Sequence, residues 1–281
     1  MSLSSLNLDA FQTVAAQGSF SAAARALHIT QSALSQRVLN LEQDIGSALF
    51  IREPQGILLT ETGHKLLRYC QQKHGLEQEF WGNISSDQGL NGIIKISAYS
   101  TICRSFVLPA VTSIIKENPS VKLDLKSKEI RQLALSLMNG ESEFILMPEP
   151  LEKQGLENHL LGHEKNVLIR STSKKAIMDV YLDHDEHDTT TYDYLSHQTE
   201  DVLHFKRSYL DEIDNIIEGV KLGLGMAVVP EHLLKGIKGI EVVPKMKPLK
   251  SPIYLIHYHQ AYYTKLQTRV MDELLKGFVT A

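Results

Sequence analysis

Cysteine is nearly missing from this sequence. Cys70 and Cys103 are the two in 281 residues. They are too few for a disulfide framework and have no metal-ligand spacing, so a reducing, cytoplasmic setting is expected. Long apolar runs are missing too: none approaches the roughly 20 residues that span a bilayer. The opening MSLSSLNLDAF lacks the basic start and apolar stretch of a secretion signal, and no membrane partner is expected. Positive charge is not in excess: 29 basic against 33 acidic residues leave a net charge of −4. Bulk charge therefore does not announce a nucleic-acid partner. There is no internal repeat, no low-complexity segment, no P-loop and no nucleophile–base pair at a recognisable spacing. These absences argue against an enzyme and against a resident cofactor. They leave an ordinary globular chain, long enough for two domains.

What is present begins with helices. Leu8, Phe11 and Ala15 recur at helical spacing, and Gly18 can stop that helix. SAAARALH follows, alanine-rich and able to let a neighbour approach closely. After a short connection, Thr30 can cap a third helix, TQSALSQRVLNLE, whose apolar stripe is Leu34, Val38, Leu41 and Ile45. Two helices joined so tightly read as a helix-turn-helix. Glu53-Pro54-Gln55-Gly56 is turn chemistry between two short apolar strands, a wing. Thr60 then opens a long helix to about Trp81 or Ile84, with Leu66, Cys70, Phe80 and Ile84 roughly heptad-spaced as a dimerisation face.

SSDQGLNG is a polar linker, and beyond it the pattern changes. IIKISA, VKLDLKS and EFILM read as strands, with helices between them, which predicts a mostly parallel sheet. KNVLIRS, VLHF, GMAVVP and IYLIHYH read as later strands, and TKLQTRVMDELLKGF as a last helix. The expected class is α+β. A winged helix-turn-helix (1–64) leads through a linker helix (65–90) to a two-lobed α/β domain (91–281). Lobe 1 takes about 91–161 plus 262–281, and lobe 2 about 162–261.

The third helix carries the functional question. With its apolar stripe buried, Ser32, Gln36 and Asn40 point away, Ser35 and Arg37 flank them, and Gln31 sits in the first turn. Amides pair bidentately with adenine, and arginine prefers guanine or phosphate. A helix that enters the major groove reads with its N-terminal residues. The bland alternative is a solvated amphipathic helix in a small bundle.

Residues 3–66, through LDAFQTVAAQGSFSAAARALHITQSALSQRVLNLEQDIGSALFIR and LLTETG, resemble the N-terminal domain of LysR-type transcriptional regulators. The match spans the whole winged helix-turn-helix without a gap. The resemblance implies a dimerising linker helix and a two-lobed effector-binding domain resembling periplasmic binding proteins. It implies partners as well: double-stranded promoter DNA, a small-molecule effector, further copies of the chain as dimer or tetramer, and RNA polymerase. Carried over by position, Thr30, Gln31, Ser32, Ser35, Gln36 and Arg37 are the DNA contacts, with Arg52 on the wing. Many relatives have arginine where Gln36 stands, so phosphate attraction is expected to be low here. ITQSALSQR is similar to the wording of the subgroup that senses basic amino acids.

For the effector, open α/β sheets bind ligands at the carboxyl ends of strands. Tyr99-Ser100-Thr101 ends the first such strand, and its hydroxyls and free N–H groups suit an anion; helix capping is the bland reading. The resemblance points to the same loop, so Ser100 and Thr101 lead. Ser127, Lys128 and Glu129 end the second strand, Met147 lies near the crossing between lobes, and His204 and Phe205 are expected to close from lobe 2. GVKLGLGMAVVP lacks the third glycine of a dinucleotide fingerprint. His184, His187 and His197 sit in a charge run without an apolar frame, which favours a solvated loop over metal. His257 and His259 are expected to be surface or cleft residues, Cys103 a packing residue, and no metal site is expected.

Overall fold

The computed structural model describes residues 3–54, 56–84, 89–173, 175–198 and 205–277. Helix α1 (Ser5–Gln17) ends at Gly18, whose φ of 61° is left-handed. Helix α2 (Phe20–Ala26) is capped by Ser19, whose hydroxyl accepts from the Ala22 N–H. Helix α3 (Gln31–Ile45) is capped by Thr30, which accepts from the Ala33 N–H at 3.2 Å. Strands β1 (Phe50–Glu53) and β2 (Gly56–Leu59) form the antiparallel wing. Helix α4 (Glu61–Ile84) follows at once, with the Thr60 hydroxyl accepting from the Gly63 N–H at 3.0 Å.

Two apolar clusters hold this unit together. Ala10, Val14, Phe20, Ala23, Leu34 and Val38 pack on one side of α1. Leu8, Phe11, Leu41, Leu49, Leu66 and Cys70 pack on the other. The Phe50 ring joins them, 5.3 Å from Phe11 and 5.8 Å from Phe20. Leu66 and Cys70 are thus buried against the helix-turn-helix, which removes them from the dimerisation stripe expected for α4. The exposed apolar side chains of α4 include Tyr69, Leu76, Phe80 and Ile84, which share one helical face.

The second unit begins with β3 (Gly92–Ala98). A helical run follows: α5 (Ser100–Ile102), a π-turn (Cys103–Val107) and α6 (Leu108–Glu117). Pro109 has no N–H to donate to the preceding turn. The wider π-turn, in which the Leu108 N–H reaches the Cys103 carbonyl, absorbs it. Next come β4 (Val121–Ser127), α7 (Ile130–Met138), β5 (Phe144–Met147) and the long β6 (Leu156–Ser171). Then follow β7 (Val180–Asp183), α8 (Thr190–Gln198), β8 (Lys206–Tyr209), α9 (Ile213–Lys221) and β9 (Ala227–Pro230). A 3-10 turn (Glu231–Leu234), β10 (Ile240–Val242), β11 (Leu249–Tyr258) and α10 (Lys265–Gly277) complete the chain.

Strand β3 lies between β4 and β5, parallel to both. Strand β11 runs antiparallel to β5 and to β6, and β6 also pairs with β9 and β10. The small parallel pair β7–β8 meets β9's end through a bridge from Tyr181 to Met226. Strands β6 and β11 therefore cross from one lobe to the other, with a register shift between Ile253 and Tyr254. That places Tyr254–His257 opposite Met147–Phe144 of the first lobe, earlier than the return at about 262 expected from sequence. The expected strand VLHF falls largely outside the described residues; β8 begins just after it.

Candidate DNA-reading face and effector cleft

Three side chains pin α3 down: Leu34 and Leu41 at 0 % exposure and Val38 at 3 %. Gln31, Ser32, Gln36 and Asn40 are exposed on the far side, and Ser35 and Arg37 are half-buried flanks. Ser21 donates to Gln31 Oε1 at 3.1 Å, so α2 steadies the first turn. The Thr30 and Ser32 hydroxyls meet at 3.1 Å. Gln36 Nε2 donates to Asn40 Oδ1 at 2.8 Å. Gln36 keeps its Oε1 and a second N–H, the acceptor and donor that an adenine edge pairs with. Asn40 was on the expected face but not among the expected contacts; the four-residue spacing was the signal. On the wing, the Arg52 guanidinium lies 5.1 Å from the Phe20 ring centre. Nearby, Glu61 pairs with Lys65 at 2.9 Å.

Between the lobes, the end of β3 meets β6. Tyr99 donates its phenol proton to Glu164 Oε2 at 3.2 Å, and Thr101 donates to Glu164 Oε1 at 3.4 Å. Glu164 is 5 % exposed, and burial pushes its carboxyl up to about 7, opposed by these two hydrogen bonds. His232 Nε2, from the turn after β9, lies 3.7 Å from Glu164 Oε1. Burial holds His232 below the ordinary histidine range, so its imidazole faces Glu164 uncharged at pH 7. Arg104 reaches across the lobes to Asp214 at 3.2 Å. A cleft of about 720 Å³ opens there, lined by Arg104, Ser105, Asp214, Glu218, Lys221 and His232 among others.

The structure brings Thr101 into this cluster and leaves Ser100 half-buried beside it. Ser127 is exposed at the end of β4, Lys128 pairs with Glu141 at 2.8 Å, and Glu129 stands exposed before α7. Met147 is corrected: at 5 % exposure it packs with Leu133, Leu137, Ile256 and Tyr258 under α7, because β5 is covered on that face. Phe205 packs on Tyr181 and Tyr192, with ring centres 4.9 and 4.7 Å away. His204 lies outside the described residues. Tyr99 stands in the expected loop, whereas Glu164, His232 and the Arg104–Asp214 pair were not among the expected residues. One signal existed: Glu164 stands in alternation with Asn166 and Leu168, both buried on the same strand face.

The histidine-rich run is organised by a different group. Arg207 pairs with Asp183 at 2.5 Å, donates to the Asp185, Glu186 and Asp188 carbonyls, and lies against the Tyr192 and Tyr209 rings. His184 bonds the Asp211 carbonyl through Nδ1. Cys103 is buried, and burial pushes its thiol up, away from the thiolate form that oxidation needs.

The fold and these two surfaces define a class: a winged helix-turn-helix joined by a long helix to a two-lobed ligand-binding domain. Residues 6–64 match the family model for the bacterial regulatory helix-turn-helix protein, lysR family, and residues 87–278 match the LysR substrate binding domain. The chain belongs to the LysR family of transcriptional regulators, which is not an enzyme family. Among similar proteins, the HTH-type transcriptional regulator CzcR of Bacillus subtilis is 28% identical, covering 97% of this chain and 96% of its own. ArgP from Mycobacterium tuberculosis has a similar fold, with a TM-score of 0.81 at 22% identity over 99% of this chain and 98% of that one. So does full-length LysG from Corynebacterium glutamicum with bound effector Arg, at a TM-score of 0.76, 20% identity and 98% coverage of each. Among the described residues, no helix is long and apolar enough to cross a membrane.

Proposed function

We propose that this chain recognises a specific promoter sequence through α3 and changes its assembly on DNA when a small molecule binds between the lobes. The observation that carries the reading is the uncharged, exposed amide face of α3, fixed from below by Leu34, Val38 and Leu41. Gln31, Ser32, Ser35 and Gln36 face base edges, and Arg37, Arg52 and the N–H groups after Thr30 face phosphates. One reading head carries few charges, so two or four heads must bind together. Tyr69, Leu76, Phe80 and Ile84 of α4 supply the apolar face for pairing. Two subunits then read half-sites roughly 34 Å apart, or a multiple of that. The reading carries a cytoplasmic location and an action on RNA polymerase at the promoter.

The cleft suits a zwitterion. Glu164 and Asp214 offer carboxylates; Arg104 and the first turn after Tyr99 offer a cation and N–H groups. Arginine is the effector bound to LysG, and the carboxylates here give basic amino acids a reason to head a thermal-shift screen. A bound effector raises the melting temperature by mass action, and Thr101→Val abolishes that rise. A footprint of the purified full-length chain on its own upstream DNA tests the rest. An inverted repeat protected at nanomolar protein is expected; uniform, sequence-independent protection overturns the reading.

A further inference from the structure

Away from the cleft, four side chains converge where the start of β6 meets the end of β11. His159 Nε2 and His257 Nε2 are 3.2 Å apart. Glu157 Oε2 lies 3.4 Å from the first and 3.6 Å from the second. These three atoms form a nearly equilateral triangle. A tetrahedral ion about 2.0–2.1 Å from each ligand separates its ligands by about 3.3 Å, the same edge length by simple geometry.

The surrounding groups aim these atoms. His257 is 1 % exposed, and its Nδ1–H donates to the Tyr258 carbonyl at 3.0 Å. That fixes the tautomer whose Nε2 lone pair faces the triangle, the orientation that outer groups impose on metal-bound histidines. The expectation that His257 is a surface or cleft residue is thereby corrected. Glu157 is oriented by His259, whose Nδ1 holds the other carboxylate oxygen. Without an ion, the His159 Nε2–H donates to His257. Moving that proton to Nδ1 on the half-exposed His159 frees both lone pairs and needs only a tilt of its ring.

We infer that Glu157, His159 and His257 form a binding site for one divalent transition-metal ion of the zinc class. Two imidazoles and one carboxylate suit zinc, cobalt, nickel or copper, and they disfavour magnesium and calcium, which prefer all-oxygen shells. Water fills the fourth position, with His259 staying on the outer oxygen of Glu157. The site is distinct from the effector cleft: His159 and Glu164 are roughly 16 Å apart along β6. It adjoins the seat of α4, because Tyr258 lies under Arg68 at 4.2 Å and Tyr262 donates to Glu79.

The test uses the full-length chain stripped with a chelator and titrated with zinc chloride in a calorimeter. One ion per chain with micromolar or tighter affinity is expected. His159→Gln and Glu157→Gln each weaken it by about tenfold or more, and both are partly exposed sites at which the metal-free melting temperature stays unchanged. A His184→Gln/His187→Gln control leaves binding intact, and cobalt in place of zinc shows the strong visible absorption of a tetrahedral site. Absence of stoichiometric zinc binding, or binding that both single variants leave unchanged, overturns the inference.

Discussion

Glu164 shows what one buried side chain can do at the crossing of the lobes. Its carboxyl is pushed up to about 7 from the ordinary 4.5. A raised acid binds its proton more tightly folded than unfolded. Its contribution is therefore fully present below about pH 4.5 and is lost as pH rises through 7. At about 1.4 kcal/mol per pH unit, the shift from 4.5 to about 7 amounts to at most about 3.5 kcal/mol. Tyr99 and Thr101 face it from lobe 1 and His232 from lobe 2, with Arg104 acting on His232. Tyr99 and Thr101 donate to different carboxylate oxygens, so Glu164→Gln keeps one of the two acceptances, turns the other oxygen into an amide NH2, and removes the ionisation. Urea unfolding at pH 5 and pH 8 should show wild type losing roughly 2–3 kcal/mol relative to the variant; parallel pH profiles would contradict this. Gln36 acts at the same scale on the outside. Gln36→Arg adds a second cation beside Arg37 on the α3 face, so affinity for any DNA rises and the salt slope steepens by about one unit, as read by fluorescence anisotropy at several salt concentrations.

At the scale of elements, the parts that were legible are those with strong local signals. Helices α1 to α4 and the wing show helical apolar spacing, capping residues and turn chemistry within short windows, and the match there was close. Strands β7, β8 and β10 were missed. They are three or four residues long and gain their identity from partners far along the chain, such as Val180–Asp183 beside Lys206–Tyr209. Strand β6 was read at half its length because LENHLLGHE mixes polar residues into a strand that changes neighbours midway. Met147 and Leu66 were misassigned for one reason: spacing tells which residues share a face, not which neighbour covers it. Two predictions belong here. Arg207→Ala leaves Asp183, 3 % exposed on its side chain, as an unpaired buried charge, and should cost about 3–5 kcal/mol in urea unfolding. Gly63→Ala drives a Cβ into the Leu49 carbonyl oxygen where α4 leaves the wing. It should lower the melting temperature by several degrees, since the Leu49 backbone cannot yield cheaply.

For the whole molecule, charge sets the terms. Residues 1–65 hold four basic and five acidic side chains, and the chain carries −4. On the proposed reading, phosphate attraction is weak per head, and specificity rests on base edges and on simultaneous binding by several heads. Phe80→Asp, on the exposed face of α4, should raise the dimer dissociation constant at least tenfold in sedimentation equilibrium and weaken DNA binding in step. The most direct test of the account is quantitative footprinting of wild type and Gln36→Ala on the same promoter and on unrelated DNA. Gln36 is exposed, so the variant should melt like wild type. The account predicts that it loses about 1–3 kcal/mol of preference per half-site while its affinity for unrelated DNA stays unchanged. Equal preference for the promoter in both proteins would contradict it.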